Sequence, residues 1–231
     1  MKRNHDNFYL NEDNTLIKQS FVDVADQIAL NSFNSVADVG CATGAFPNYL
    51  KTRFPSSEIT GIEYLGNLLT EAKKSFPHIR FNEGNVLEKD SVSEKYDVIT
   101  MLGVFGIFDD YKKALHNVLS WLNPNGRLIL QNMISGYDVD VFVKYCPSSS
   151  DYKPDRLESG WNVISEKSLS LVAKENNAEI ISSKPFQLRV NIEKQSDVMR
   201  SWTEKNMLGG NDIFNALHIR QPQKIVTIKK Y

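Results

Sequence analysis

The chain has 231 residues, 41% hydrophobic, 24% charged and 10% aromatic. That is the composition of a globular protein with its own core, and it excludes collagen-like, disordered and disulfide-scaffold classes. The 27 Lys and Arg against 28 Asp and Glu leave a net charge of −1, which excludes a uniformly basic nucleic-acid binder.

The N-terminus, MKRNHDNFYLNED, has basic residues but no apolar run behind them, so it does not read as a secretory signal. The most apolar stretch, 98–108, is interrupted by glycines and is about half the length a bilayer span requires. A soluble, cytoplasmic protein is expected. Short β-type runs fall at 36–40, 58–64, 80–86, 96–102, 127–133, 179–190 and 224–230, with helical patterns at 44–54, 66–76, 109–122 and 166–176. In 109–122, Tyr111, Leu115, Val118, Leu119 and Leu122 recur at helical spacing, with Asp109 or Asp110 as the N-cap. Alternation of strand and helix predicts an α/β domain whose mostly parallel sheet is covered on both faces. No long helix separates the last two strands, so an antiparallel return is expected at one edge. Three additions complete the single domain: an N-terminal segment of 1–34, expected to act as a lid, and inserts at 134–165 and 191–223 on the substrate side. Inserts of that length usually carry function.

The sharpest signal is VADVGCATGAF at 36–46, a strand running into a small-residue turn and then a helix. Gly40 lets the chain turn, Cys41, Ala42 and Gly44 let a ligand approach the backbone, and the helix presents unpaired N–H groups. Three further strand ends converge on the same edge. Glu63, 25 residues after Asp38, is placed to accept ribose hydroxyls. Asn85 and Val86 end the third strand where an adenine would lie. Leu102, Gly103 and Phe105 close the fourth with apolar groups. The loop reads G-C-A-T-G rather than GxGxxG, and Asp38 lies two residues before its first glycine. A carboxylate there repels pyrophosphate and suits a cationic amino-acid group, which favours S-adenosylmethionine over a dinucleotide.

These segments resemble the class I S-adenosylmethionine-dependent methyltransferases. VADVGCATG is similar to their first motif, ITGIEYL to the second, NEGNVLE to the third, YDVITMLGVFGIFDD to the fourth and LNPNGRLIL to the fifth, in order over 36–133. The resemblance implies a Rossmann-like, doubly wound, seven-stranded sheet with an antiparallel last strand. It also implies that Asp38, Gly40 and Gly44 surround the amino-acid end of the cofactor. By the same resemblance Glu63 binds the ribose, Tyr64 flanks the adenine, Asn85 bonds its amine, and backbone near Leu102 and Gly103 faces the methionine part. Ala42 stands where the family's middle glycine usually does, and Asn85 replaces the commoner acid.

The two cysteines, Cys41 and Cys146, form no CxxC pair, and His5, His78, His116 and His218 stand singly, so no metal site is expected. The acceptor is read as a small molecule rather than nucleic acid, since no Asn-Pro-Pro-Tyr or Asp-Pro-Pro-Tyr segment is present. Phe105 and Phe108 form an apolar wall where some relatives carry a histidine. Candidate acceptor-side residues are Tyr9, Asn132, Tyr137, Trp161 and Arg220. Asp138 and His218 are the candidate bases; either aspartate of the loop, Asp138 or Asp140, can equally cap a turn. Residues 184–231 hold nine Lys and Arg against four Asp and Glu, so His218 beside Arg220 suits an anionic acceptor, and the same surplus equally suits plain surface. A second resemblance, of the additions, is to methyltransferases of bacterial surface-polysaccharide clusters and implies a sugar or sugar-linked oxygen. The alternatives are a methyltransferase-like binding module without turnover and a nicotinamide-dependent oxidoreductase.

Overall fold

The computed structural model describes residues 4–11, 13–146, 148, 153–197 and 199–231. Residues 1–3 and 12 of the expected lid and parts of both inserts (147, 149–152 and 198) lie outside the described residues, as does the side chain of His5. The first half alternates strand and helix: α1 (Gln19–Ala29), β1 (Ser35–Val39), α2 (Ala45–Arg53), β2 (Glu58–Glu63), α3 (Gly66–Ser75), β3 (Arg80–Glu83), β4 (Tyr96–Leu102), α4 (Tyr111–Ser120) and β5 (Leu122–Ser135). A 3-10 helix, Asn4–Asn11, precedes α1. The second half adds β6 (Lys144–Tyr145), β7 (Glu158–Ser159), β8 (Ile164–Ser165), α5 (Glu166–Glu175), β9 (Ala178–Pro185), β10 (Trp202–Lys205), β11 (Asn211–Phe214) and β12 (Gln223–Lys230).

The central sheet runs β3-β2-β1-β4-β5-β12-β9. Pairing is parallel from β3 to β5, and β12 is antiparallel to both β5 and β9. The antiparallel return therefore occupies the expected end of the sheet, but the last strand sits one place in from the edge and β9 forms the edge itself. β9 also stops at Pro185 rather than at 190.

Strand alternation divides the core. Ile99, Met101, Leu128 and Leu130 face the cluster built with α4 and α5, whereas Val36, Val98 and Ile129 face the one built with α1 and α2. Asp38 shares the parity of Val36 and so points to the α1/α2 side. Local chemistry fixes the helix ends. Asp110 caps α4 by accepting from Lys113 N at 3.1 Å, and Ser165 caps α5 by accepting from Ser168 N at 3.1 Å. Buried Arg127 donates to the carbonyls of Gln27, Ile28 and Asn31, holding the C-terminus of α1 against β5.

The insert 134–165 closes on itself: β6 pairs with β7, Val141 bridges Val163, and β8 extends the end of β5. The insert 191–223 contains the β10–β11 hairpin.

Candidate cofactor site

Four strand ends and the N-terminal segment enclose a cavity of about 200 Å³. Of the residues expected at a cofactor, Asp38, Gly40, Cys41, Ala42, Glu63, Tyr64, Asn85, Val86, Leu102 and Gly103 all line it.

The loop after β1 has the geometry its small residues allow. Gly40 has φ +75°, and a Cβ there would meet Val104 at 2.6 Å. Both facts require glycine. Ala42 adopts φ +49°, so alanine takes the left-handed conformation at the position of the family's middle glycine. Gly44 does not line the cavity. It is the N-cap of α2 at φ +87°, and its Cα packs on Phe81; its role is to start the helix. No side chain caps that terminus, so the first amides of α2 stay available to an anion.

Glu63 holds this loop to the next strand. Its carboxylate accepts from Ala42 N and from Leu65 N, each at 2.9 Å, and the side chain is buried. Two amides thus orient the oxygens while each retains lone pairs for a ligand hydroxyl. Asp38 lies opposite Thr100 in the register and accepts from its Oγ1 at 2.7 Å. Burial pushes the Asp38 carboxyl up to about 7; the Thr100 hydrogen bond opposes the rise, and the Glu63 charge adds to it. A buried carboxyl with so high a pKa is a site that a cation would stabilise. The Cys41 thiol is driven well above its usual range by burial and then by Asp38 and Glu63, so it is a packed, unreactive wall.

Asn85 Nδ2 donates to Glu88 Oε1 at 2.9 Å and its Oδ1 accepts from Leu87 N at 3.0 Å. Those two bonds fix the amide and leave one Oδ1 lone pair and one Nδ2 hydrogen uncommitted. Tyr64, 48% exposed, stands at the open side.

Several of the expected residues lie away from the cavity. Phe105 is 1% exposed, stacks edge-on to Tyr111 and belongs to the core; the apolar wall is formed instead by Val104, Ile107 and Phe108. Of the acceptor-side candidates, only Tyr9 lines the cavity. Asn132 is buried, and its Oδ1 accepts from the adjacent Met133 N. Tyr137 is 83% exposed on a turn. Trp161 is half-buried and away from the cavity. Arg220 pairs with Asp212 at 2.8 Å and Asp138 with Lys167 at 2.6 Å, both outside the site. His218 is an exposed left-handed turn residue, and neither it nor Arg220 lines the cavity. Asp140 takes the capping role, accepting from Ser165 N, Ser168 Oγ and Tyr111 Oη. His116 lies at the surface against Glu175 and Asn176.

Other lining residues were not legible in the motifs. Lys18, just before α1, and Phe21 in α1 line the cavity, and Thr43 Oγ1 donates to Asn14 Oδ1 at 2.5 Å, tying the N-terminal segment to the glycine loop. Asn162 is fully buried. It accepts from Val143 N at 2.9 Å and donates to Phe108 O at 3.3 Å and Asp109 Oδ1 at 3.2 Å, while its N–H donates to Gly106 O at 2.7 Å. It clamps the loop carrying Ile107 and Phe108. Asn162→Ala is expected to lower the unfolding free energy by about 2–3 kcal/mol, since it strands buried partners; denaturant unfolding measures it, and a change under about 0.5 kcal/mol would contradict the clamp.

Residues 12–183 match the family described as "Methyltransferase domain". The chain belongs to the class I S-adenosylmethionine-dependent methyltransferase family. Among curated proteins it is 33% identical over 110 residues to a demethylmenaquinone methyltransferase of Deinococcus radiodurans, a match covering 46% of each chain. It is 32% identical over 102 residues to a malonyl-[acyl-carrier protein] O-methyltransferase of Halalkalibacterium halodurans, covering 41% of this chain and 37% of that one. A trans-aconitate 2-methyltransferase of Escherichia coli is 28% identical over 110 residues, 48% of this chain and 43% of that one. The chain thus matches less than half the length of these relatives. Among solved structures, CalS10, an amino pentose methyltransferase from Micromonospora echinaspora, superposes with a TM-score of 0.57 at 16% identity, covering 97% and 94% of the two chains. That likeness concerns the fold.

The family's cofactor is S-adenosylmethionine, and the residues present fit it. The two buried carboxylates, the glycine-lined approach to the backbone and the fixed Asn85 carbonyl match its ammonium, ribose and adenine amine. Asp38 beneath the loop fits no pyrophosphate. Among the described residues, no helix is long and apolar enough to cross a membrane.

Proposed function

We propose that this protein transfers a methyl group from S-adenosylmethionine to an oxygen nucleophile of a small-molecule acceptor. The observation that carries the reading is the pairing of Asp38 and Glu63, two buried carboxylates on adjacent strand ends, with the glycine loop between them. When bound, the cofactor supplies a methyl group already activated by its sulfonium, so displacement needs alignment more than bond polarisation. Glu63 would hold the ribose hydroxyls, Asn85 Oδ1 the adenine amine, and Tyr64 the ring face. Asp38, with its proton lost, would face the ammonium. Lys18 and the amides opening α2 supply positive potential for a carboxylate. Val104, Ile107 and Phe108, which line the cavity with apolar groups, would keep water from the transferring group. An acceptor carboxylate would reach that group already ionised, whereas an acceptor hydroxyl would release its proton to solvent as it takes the methyl group.

For the acceptor we propose a sugar or sugar-linked oxygen first, on the resemblance of the additions, with small carboxylates second. The curated relatives include proteins named for aconitate and malonyl-carrier methylation. Tritium-labelled methyl transfer over a panel of sugar, nucleotide-sugar and carboxylate acceptors tests this. Labelled sugar product supports the first class, base-labile methyl ester the second. Cofactor binding without transfer to any member would favour the binding module.

A further inference from the structure

The N-terminal helix and the C-terminal insert meet at one side chain. The Arg200 guanidinium carbon lies 4.0 Å from the Phe8 ring centre and 5.3 Å from that of Tyr9, and Tyr9 lines the cavity. Arg200 is presented by a tight turn in which Arg200 N donates to Asp197 O and Met199 N to Asp197 Oδ1, with Met199 buried. The residue after it joins a relay of amides. Gln131 Nε2 donates to Gln223 Oε1 at 2.8 Å, Gln223 Nε2 to Gln221 Oε1 at 3.1 Å, and Gln221 Nε2 to Ser201 Oγ at 3.0 Å. The two inner bonds run the same way, each polarising the next, and the outer link is reciprocal, since Ser201 Oγ also donates to Gln221 Oε1 at 3.2 Å. At its inner end, Gln131 O accepts from Gly103 N at 2.8 Å, and Gly103 lines the cavity. One continuous path therefore runs from the cofactor-facing end of β4, across β5 and β12, to the residue beside Arg200.

We propose that Arg200 is a positioning residue for the cofactor: stacked on Phe8 and Tyr9 and held in place by the Gln131–Gln223–Gln221–Ser201 relay, it keeps Tyr9 closed over the cavity and slows ligand release. This rests on the cofactor reading above. Arg200, Phe8 and Tyr9 are partly buried, which strengthens a cation–π contact over a fully exposed one, and the planar guanidinium can lie over two neighbouring rings where an ammonium cannot.

The test uses S-adenosylhomocysteine as the probe, with its affinity and dissociation rate measured on the full chain. Arg200→Met keeps the apolar stem and removes the charge; it is expected to weaken binding about 10-fold, equivalent to about 1.4 kcal/mol, mostly through faster release. Arg200→Lys should fall between Met and the wild type. Gln221→Leu should weaken binding in the same direction by about 3-fold. Tyr9→Leu combined with Arg200→Met should bind no worse than Tyr9→Leu alone, because the arginine acts through that ring. Full additivity of the two, or an Arg200→Met affinity within twofold of wild type, overturns the proposal. A wild-type protein that fails to bind the probe overturns the cofactor reading and this proposal together.

Discussion

Asp38→Asn is expected to weaken S-adenosylhomocysteine binding at least 100-fold while making the ligand-free protein more stable at pH 8. Both effects come from one carboxyl, fully desolvated and raised to about 7. The unfolded chain ionises this group near its ordinary value, whereas the folded chain holds the proton up to about pH 7. Its contribution to stability is therefore complete below the unfolded pKa and is lost as pH rises through 7, an amount on the order of 4 kcal/mol. Asparagine keeps an oxygen for Thr100 and removes the buried charge, so a gain of about 2 kcal/mol in unfolding free energy is expected at pH 8 and little change at pH 5. The same titration governs binding. A cationic amino group prefers the ionised carboxylate, so below pH 7 ligand binding must displace a proton. Wild-type affinity should fall about fivefold between pH 7 and pH 6, and Asp38→Asn should flatten that dependence. A variant that loses stability at pH 8 would mean that the carboxylate is already balanced by a cation in the free protein.

Glu63 behaves differently because it does structural and ligand-binding duties with the same two oxygens. Removing it in Glu63→Ala leaves Ala42 N and Leu65 N without their acceptor. At about 1–3 kcal/mol for each buried donor, tempered by water entering from the cavity, a total loss of about 2–4 kcal/mol is expected. Glu63→Gln is the sharper experiment. One of its two polar atoms becomes a donor and must face a backbone N–H, so it cannot serve both amides. Its stability should fall by about 1–2 kcal/mol and its affinity by at least 100-fold. Thus the Asp38 variant separates binding from stability, whereas the Glu63 variants lose both, and denaturant unfolding together with titration distinguishes them. A Glu63→Gln protein with wild-type affinity would remove Glu63 from the ligand's contacts.

The strand ends of this site were readable because their positions follow from local rules. A short strand, Ser35–Val39, entering a small-residue turn fixes where Asp38 and Gly40 lie, and the alternating pattern puts Glu63, Asn85 and Leu102 at the same edge of the sheet. Residues whose place depends on distant partners were not readable. Asn162 looks like loop chemistry until Val143, Phe108 and Asp109 surround it. Phe105 looked like a wall beside Phe108, but the 3-10 turn Phe105–Ile107 sends it into the core and leaves Ile107 at the cavity. Tyr137 and Arg220 lie in polar inserts rich in hydrogen-bonding groups, and composition alone does not say which side of an insert faces the ligand. The place of β12 between β5 and β9 has the same origin: the sequence shows that it returns antiparallel, and only long-range pairing decides where.

The central claim is that the cavity between β1 and β4 is a site for S-adenosylmethionine. Calorimetric titration of the wild-type protein with S-adenosylhomocysteine at pH 8, with NADH as the control ligand, tests it most directly. Micromolar binding of S-adenosylhomocysteine with no heat from NADH is the predicted result; binding of NADH in its place would contradict the account.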